Sequence, residues 1–211
     1  MHKTYRLMSI FCGALFLTEA ATSTTLSNNL SNSVAGTEEL SGQTWVAASF
    51  ATDASAYSFS GMTLLISGTS GSSVSLQLFS DAFSQPGRPL LTLSAASPLS
   101  PTLTATSFDS PHYMLSSKTT YWAVLTATSG TAEWAYTNSN SGSGVGFQHT
   151  WAVTEDAGAD WLTFNSYPML FSASAAPIPP AVSPEPASIF LILLGVLVLC
   201  SWGSKFTSIR T

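Results

Sequence analysis

The sequence has little charge and almost no cysteine. Only 8% of its 211 residues are charged, with six Lys and Arg residues in total and a net charge of −5. Because nucleic-acid binding needs clustered Lys and Arg to displace counterions, we expect no nucleic-acid partner. The two cysteines, Cys12 and Cys200, lie in apolar runs near opposite ends of the sequence. The long region between these runs therefore cannot form a disulfide.

Histidine is also scarce, which limits catalysis and metal binding. Beyond the N-terminal apolar run only His112 and His149 remain, and neither has a spacing typical of a Ser-His-Asp hydrolase or a zinc site. We expect His149 at the edge of the core, bonded to a backbone carbonyl. A glycosidase needs two paired carboxylates, and none of the carboxylates lies in a stretch that suggests the raised pKa of its acid. The sequence thus predicts a non-enzymatic protein with no cofactor and no metal.

An acidic loop over 155–160 contains one Glu, two Asp and a Gly. Loop oxygens of this kind suit Ca²⁺, but the EF-hand spacing is missing and no Glu closes the loop. We expect a solvated surface loop, and a calcium loop is the alternative.

Serine and threonine are abundant, at 61 of 211 residues, and the hydrophobic content is 45%. That hydrophobic content is too high for a disordered chain, so the middle of the sequence can bury a core. Apolar residues alternate clearly at Val74, Leu76 and Leu78, whereas 121–125 is apolar throughout, as in a strand buried on both faces. The apolar parity switches between 59 and 62, which predicts a β-bulge at Gly61.

These patterns predict an all-β fold without helical periodicity. The candidate strands are 43–50, 57–66, 73–78, 89–93, 103–108, 121–125, 132–137, 147–153 and 168–173. We expect an antiparallel, jelly-roll-like β-sandwich of eight or nine strands over 41–176. A loosely ordered segment over 22–40 is expected to precede it.

The N-terminal residues resemble an export signal in their layout. His2, Lys3 and Arg6 precede an apolar run over 7–17, which is far shorter than the ~20 residues that a spanning helix needs. We expect a signal peptide over 1–21 that forms a helix and is removed on export.

The C-terminal part has the composition of a spacer followed by a membrane segment. Prolines crowd 177–186 and favour an extended linker. An uncharged apolar stretch over 187–202 then precedes Lys205 and Arg210. We predict a short transmembrane helix and basic tail over 187–211, with both basic clusters of the chain on the cytoplasmic side of the inner membrane.

Four residues at the start of this stretch carry a resemblance: Pro184, Glu185, Pro186 and Ala187. With the short hydrophobic segment and the basic tail, they resemble the PEP-CTERM sorting signal of Gram-negative bacteria. The resemblance implies recognition and cleavage near the motif by a membrane-embedded exosortase. The tail departs from the family, which usually ends in a tight Arg cluster. A plain single-pass anchor on a proline stalk is the alternative.

A second resemblance covers most of 41–173. Its residues are Leu78-Phe79-Ser80-Asp81, Gln85-Pro86-Gly87, Leu91, Gly42-Gln43, Thr119-Thr120-Tyr121-Trp122 and Trp134. They resemble the choice-of-anchor R domains, which implies an exported bacterial β-domain with no established chemistry.

Together these features predict a non-enzymatic protein of the bacterial cell surface or extracellular matrix. The alternative is a module that binds extracellular polysaccharide by stacking sugars on exposed tryptophan. Trp134 and Trp161 are the candidates, because polar or acidic residues surround them in the sequence. The competing explanation is that tryptophans fill the core of the sandwich.

Overall fold

The computed structural model describes residues 22–95 and 99–179. The predicted signal peptide, sorting motif, transmembrane segment and basic tail lie outside these residues. The described residues form twelve β-strands: β1 (Thr24–Asn28), β2 (Gly36–Leu40), β3 (Trp45–Ala51), β4 (Tyr57–Gly68), β5 (Ser73–Asp81), β6 (Pro86–Ala95), β7 (Thr104–Leu115), β8 (Thr120–Ser129), β9 (Ala132–Tyr136), β10 (Phe147–Thr154), β11 (Leu162–Phe164) and β12 (Phe171–Pro177). The chain divides into two units after Pro177, and all twelve strands belong to the first.

All strand pairs are antiparallel, and the strands fall into two groups. In the first group, the order is β1-β12-β4-β7, and β2 and β9 attach to β4 through β9. In the second group, the order is β6-β5-β8-β3-β10-β11. The two groups are joined where the end of β6 pairs with β7, at Ser94 with Asp109 and Ala95 with Phe108. The prediction of an all-β antiparallel fold is confirmed. Within the described ranges, no helix is long and apolar enough to cross a bilayer.

One hydrophobic core contains residues of both groups. Phe50 of the second group stacks on Phe59 of the first, with ring centroids 5.9 Å apart, and on Tyr121 of its own group at 6.0 Å. Leu76 and Leu78 are fully buried in the same core, and Val74 packs against it. The face assignment made from alternation in 73–78 is therefore confirmed.

The predicted bulge in β4 is present at its expected place. Pairing of β4 with both β7 and β12 shifts between Phe59 and Gly61, and Ser60 is an extra residue relative to β12. Gly61 has φ of 152°, and a Cβ atom built there would lie 2.5 Å from the carbonyl oxygen of Phe108. Only glycine accommodates this combination of backbone angle and close approach.

The N-terminal segment over 22–40 is not loosely ordered, so that prediction is wrong. It contains β1 and β2, which pair with β12 and β9, and Leu26 and Leu40 are fully buried. The expected number of eight or nine strands is also too low. The nine candidate segments correspond to β3–β10 and β12, and the three missed strands are β1, β2 and the short edge strand β11.

Candidate functional site

The second strand group carries a small apolar cluster on the face opposite to the main core. Its buried members come from four neighbouring strands: Ala47, Phe79, Trp122, Val124 and Ala152. Strand residues alternate between faces, so the residue two positions before or after a cluster member lies on the same face, beside the cluster. At one end of the cluster this residue is polar on all four strands: Ser49, Asp81, Thr120 and Thr150. These four residues line a pocket of about 280 Å³.

An irregular stretch of β10 forms one side of the pocket. Phe147 pairs with Phe50 and Trp151 pairs with Ala48, so three residues of β10 lie opposite the single residue Ser49. These three residues are Gln148, His149 and Thr150, and all of them line the pocket. Bulges of this kind redirect side chains and are common beside functional sites.

A tight turn forms another side. Ala82 and Gln85 exchange backbone hydrogen bonds of 2.9 and 3.2 Å, which closes a two-residue hairpin loop between β5 and β6. The two central residues, Phe83 and Ser84, have φ of 57° and 64°. Such turns normally carry Asn or Gly, because other side chains are strained at positive φ. Ser84 lines the pocket, and Phe83 is fully exposed beside it in the chain.

Asp81 is held in place by its neighbours. Trp122, only 1% exposed, donates its indole Nε1–H to Asp81 Oδ1 at 2.8 Å. The backbone N–H of Ser84 donates to Asp81 Oδ2 at 3.3 Å. The carboxylate itself is exposed at the pocket. A fixed, exposed carboxylate is a strong hydrogen-bond acceptor for a ligand.

The remaining groups at the pocket supply both donors and acceptors. His149 is exposed, so the expectation that its ring lies at the edge of the core is wrong. Gln148 Nε2 donates to Thr120 Oγ1 at 3.3 Å, and Ser49 Oγ donates to the carbonyl of Thr150 at 3.0 Å. No Lys or Arg is among the described residues that line this pocket.

Trp134 cannot act as a surface platform, which corrects the prediction for this residue. It is 0% exposed, its Nε1–H donates to the carbonyl of Leu170 at 3.0 Å, and its ring meets Phe171 edge-on. Its acidic neighbour Glu133 is exposed because adjacent strand residues face opposite sides. Polar neighbours in a strand therefore do not indicate that the residue between them is exposed.

Trp161 is half-buried and packs against the small apolar cluster. Its backbone carbonyl accepts a hydrogen bond of 3.1 Å from Gln85 Nε2, which connects it to the hairpin loop at the pocket. Part of the residue remains exposed, so the prediction for Trp161 as a ligand-binding residue stays a prediction.

The acidic loop is organised by its own hydrogen bonds. Asp156 Oδ1 accepts hydrogen bonds from Thr154 Oγ1 at 2.5 Å and from the backbone N–H groups of Ala159 and Asp160 at 3.0 Å each. The hydrogen bond from the Thr154 hydroxyl lowers the pKa of Asp156 the most, and the hydrogen bond from the Asp160 amide lowers it further. This oxygen therefore closes a turn within the loop. The described residues contain no cluster of three or more His, Cys, Asp or Glu able to hold a metal ion.

The residues of the predicted sorting signal lie outside the described part of the chain: Pro184, Glu185, Pro186, Ala187, Lys205 and Arg210. Comparisons with known proteins assign no family: no family model matches the chain, and no curated protein sequence matches it significantly. The chemistry of the site therefore has to follow from its own residues.

Proposed function

We propose that this is a non-enzymatic protein of the cell surface or extracellular matrix of a Gram-negative bacterium. The chain is exported by its signal peptide and held in the inner membrane by the segment over 187–202. An exosortase-type protease then cuts it near Pro184-Glu185-Pro186. The C-terminal pattern resembles PEP-CTERM signals, and the β-domain resembles choice-of-anchor R domains; both resemblances support this sequence of events.

The position of the last strand is the observation that carries the proposal. β12 ends at Pro177, seven residues before Pro184. It pairs with β1 on one side and β4 on the other, so it is an integral part of the sheet. A cut at the proline motif removes none of the twelve described strands and breaks none of their pairings. The β-domain can therefore leave the membrane segment behind and stay folded.

The composition of the domain fits an extracellular location. It contains no cysteine, so its folding needs no disulfide chemistry after export. Exposed hydroxyl groups pair across neighbouring strands, as in Thr63 with Ser107 at 3.1 Å and Ser73 with Thr128 at 2.6 Å. A surface of neutral hydroxyl groups stays hydrated with little dependence on ionic strength, because few charges are present to be screened.

We further propose that the two strand groups pack face to face as a β-sandwich of jelly-roll type. The shared core supports this arrangement, since Phe50 and Phe59 belong to different groups and stack on each other. Stacked sheets need such interdigitating residues from both inner faces.

Intact-mass measurement of the protein from its native host tests the sorting proposal. We expect a surface or extracellular form that ends near Pro186 and a Glu185→Ala variant that is processed more slowly. Glu155→Ala is the matched control, because Glu155 is an exposed carboxylate in a loop of the β-domain, and we expect it to be processed like the wild type. A surface form that retains 187–211, or normal processing of Glu185→Ala, would replace the proposal with a simple membrane anchor.

A further inference from the structure

We propose that the pocket between the β10 bulge and the β5–β6 hairpin binds a neutral sugar unit of an extracellular polysaccharide. The extracellular location of the ligand rests on the proposed export of the chain, whereas the pocket itself is lined by described residues and does not depend on cleavage at the sorting motif. The residues proposed to contact the ligand differ from Trp134 and Trp161, which the sequence predicts as a platform for sugars.

Two independent departures from regular β-structure meet at this pocket. The β10 bulge places three residues opposite Ser49, and the hairpin loop holds Phe83 and Ser84 at positive φ. Each departure costs conformational energy, because the bulge interrupts the strand ladder and the hairpin places Phe and Ser at positive φ, where Asn or Gly would be less strained. Both place polar groups at the same cavity, which is the arrangement expected of a binding site.

The chemistry of the lining selects an uncharged polyhydroxyl ligand. Asp81 accepts hydrogen bonds, the hydroxyls of Ser84 and Thr120 donate and accept, and the Gln148 amide does both. The exposed His149 ring also lines the pocket and offers a nitrogen for hydrogen bonding to a ligand. A sugar ring offers hydroxyl groups that donate and accept in the same way. With one carboxylate and no Lys or Arg in the lining, an anionic ligand would be repelled by Asp81.

Aromatic residues at the pocket fit the apolar faces of sugar rings. Phe147 is half-buried and lines the pocket together with the polar groups. Trp122 also borders the pocket, but it is only 1% exposed and contributes through its hydrogen bond to Asp81. Phe83, fully exposed next to Ser84, offers apolar surface to a neighbouring unit of the polymer. The combination of a few placed polar groups with aromatic surface is typical of small-ligand pockets.

Asp81 is the residue on which we expect binding to depend most. Its Oδ1 atom is fixed by the indole of Trp122 at 2.8 Å, so the carboxylate is oriented before a ligand arrives. Such preorganisation reduces the entropy cost of binding. The same hydrogen bond makes Trp122 a fluorescent reporter of events at Asp81.

The test uses the full-length chain in a detergent without a sugar headgroup. Neutral hexasaccharides of glucose, mannose and galactose are titrated one by one, with hexagalacturonic acid as the anionic probe. Binding is followed by tryptophan fluorescence and calorimetry. We expect at least one neutral hexasaccharide to bind, and Asp81→Asn and His149→Ala each to weaken its binding about tenfold, the effect of losing one hydrogen bond to the ligand.

Asp109→Asn is the matched control, because Asp109 is an exposed carboxylate on β7 of the other strand group, and we expect its affinity to equal that of the wild type. Asn at position 81 still offers an oxygen to the Trp122 indole, and His149 is exposed, so both variants should fold. The proposal is overturned if no neutral hexasaccharide binds at millimolar concentration, if hexagalacturonic acid binds more tightly than all of them, or if the two pocket variants bind like the wild type.

Discussion

At the scale of single residues, Glu38 is an acidic side chain on the inner face of its strand. Alternation places it on the same face of β2 as the fully buried Leu40, and it pairs directly with the buried Trp134. Burial raises the pKa of Glu38 above its ordinary value of 4.5. The protonated form is thus favoured by folding. The stability that Glu38 contributes is present below its ordinary pKa and is lost as the pH rises through the raised value.

We therefore expect Glu38→Gln to be more stable than the wild type at neutral pH and to match it closely near pH 3, below the ordinary pKa of glutamate. Urea unfolding at a series of pH values measures the difference. Glu155→Gln, at an exposed loop carboxylate, should leave the pH profile unchanged. A Glu38→Gln profile parallel to that of the wild type would show that this carboxylate is effectively solvated.

The pocket residues also show what a strand sequence can and cannot reveal. Asp81 follows the buried Phe79 by two positions, so alternation alone places both on one face. The sequence does not reveal that this face is shared by β3, β5, β8 and β10, because strand order depends on pairing between distant segments. Trp122 lies within a stretch correctly expected to be buried on both faces. For the same reason, the sequence does not reveal its hydrogen bond to Asp81.

At the scale of strands, the number of inserted residues decides whether a bulge is visible in the sequence. Ser60 is a single insertion relative to β12, so it reverses the parity of the apolar residues in β4, and the sequence reveals its position. The β10 bulge inserts two residues relative to β3, which restores the parity. β7 behaves in the same way, with Ser110, Pro111 and His112 opposite the single residue Ser60. The bulge that forms the candidate site is therefore invisible to alternation.

The β4 bulge predicts the outcome of a glycine substitution. Gly61→Ala should destabilise the domain by more than about 1 kcal/mol, because the new Cβ meets the Phe108 carbonyl and φ is 152°. Gly42→Ala is the control, since nothing lies within 4 Å of a Cβ built there, and it should change stability by less than about 0.5 kcal/mol. Chemical denaturation measures both. Equal stabilities for the two variants would mean that β4 relaxes around the added methyl group.

The N-terminal strands were missed because their own sequences are weakly apolar. β1 contains one apolar residue, Leu26, and β2 contains one, Leu40. Each pairs with a strand that lies far away in the sequence, β1 with β12 and β2 with β9. Strand formation here is decided by partners and burial more than by local propensity.

At the scale of the whole molecule, the all-β fold class and most strand positions follow from the sequence, because period-two alternation is a local property. The division into two groups joined by β6, and the second apolar cluster beside the pocket, depend on long-range pairing. The two clusters lie on opposite faces of β8, where Tyr121 and Leu125 belong to the main core and Trp122 and Val124 to the smaller cluster. Loss of the main core should therefore also disrupt the cluster next to the pocket.

Leu76→Ala tests this coupling. Leu76 is fully buried in the core that both strand groups share, so we expect a loss of about 2 to 5 kcal/mol. Urea unfolding followed by tryptophan fluorescence and by far-UV circular dichroism should give coincident, equally shifted transitions, because unfolding of one core is cooperative. Leu162→Ala makes the same chemical change at a residue that is 66% exposed on the edge strand β11, and it should shift stability by less than about 0.5 kcal/mol. If the fluorescence transition of Leu76→Ala stays in place while the dichroism transition moves, the cluster beside the pocket folds independently of the main core.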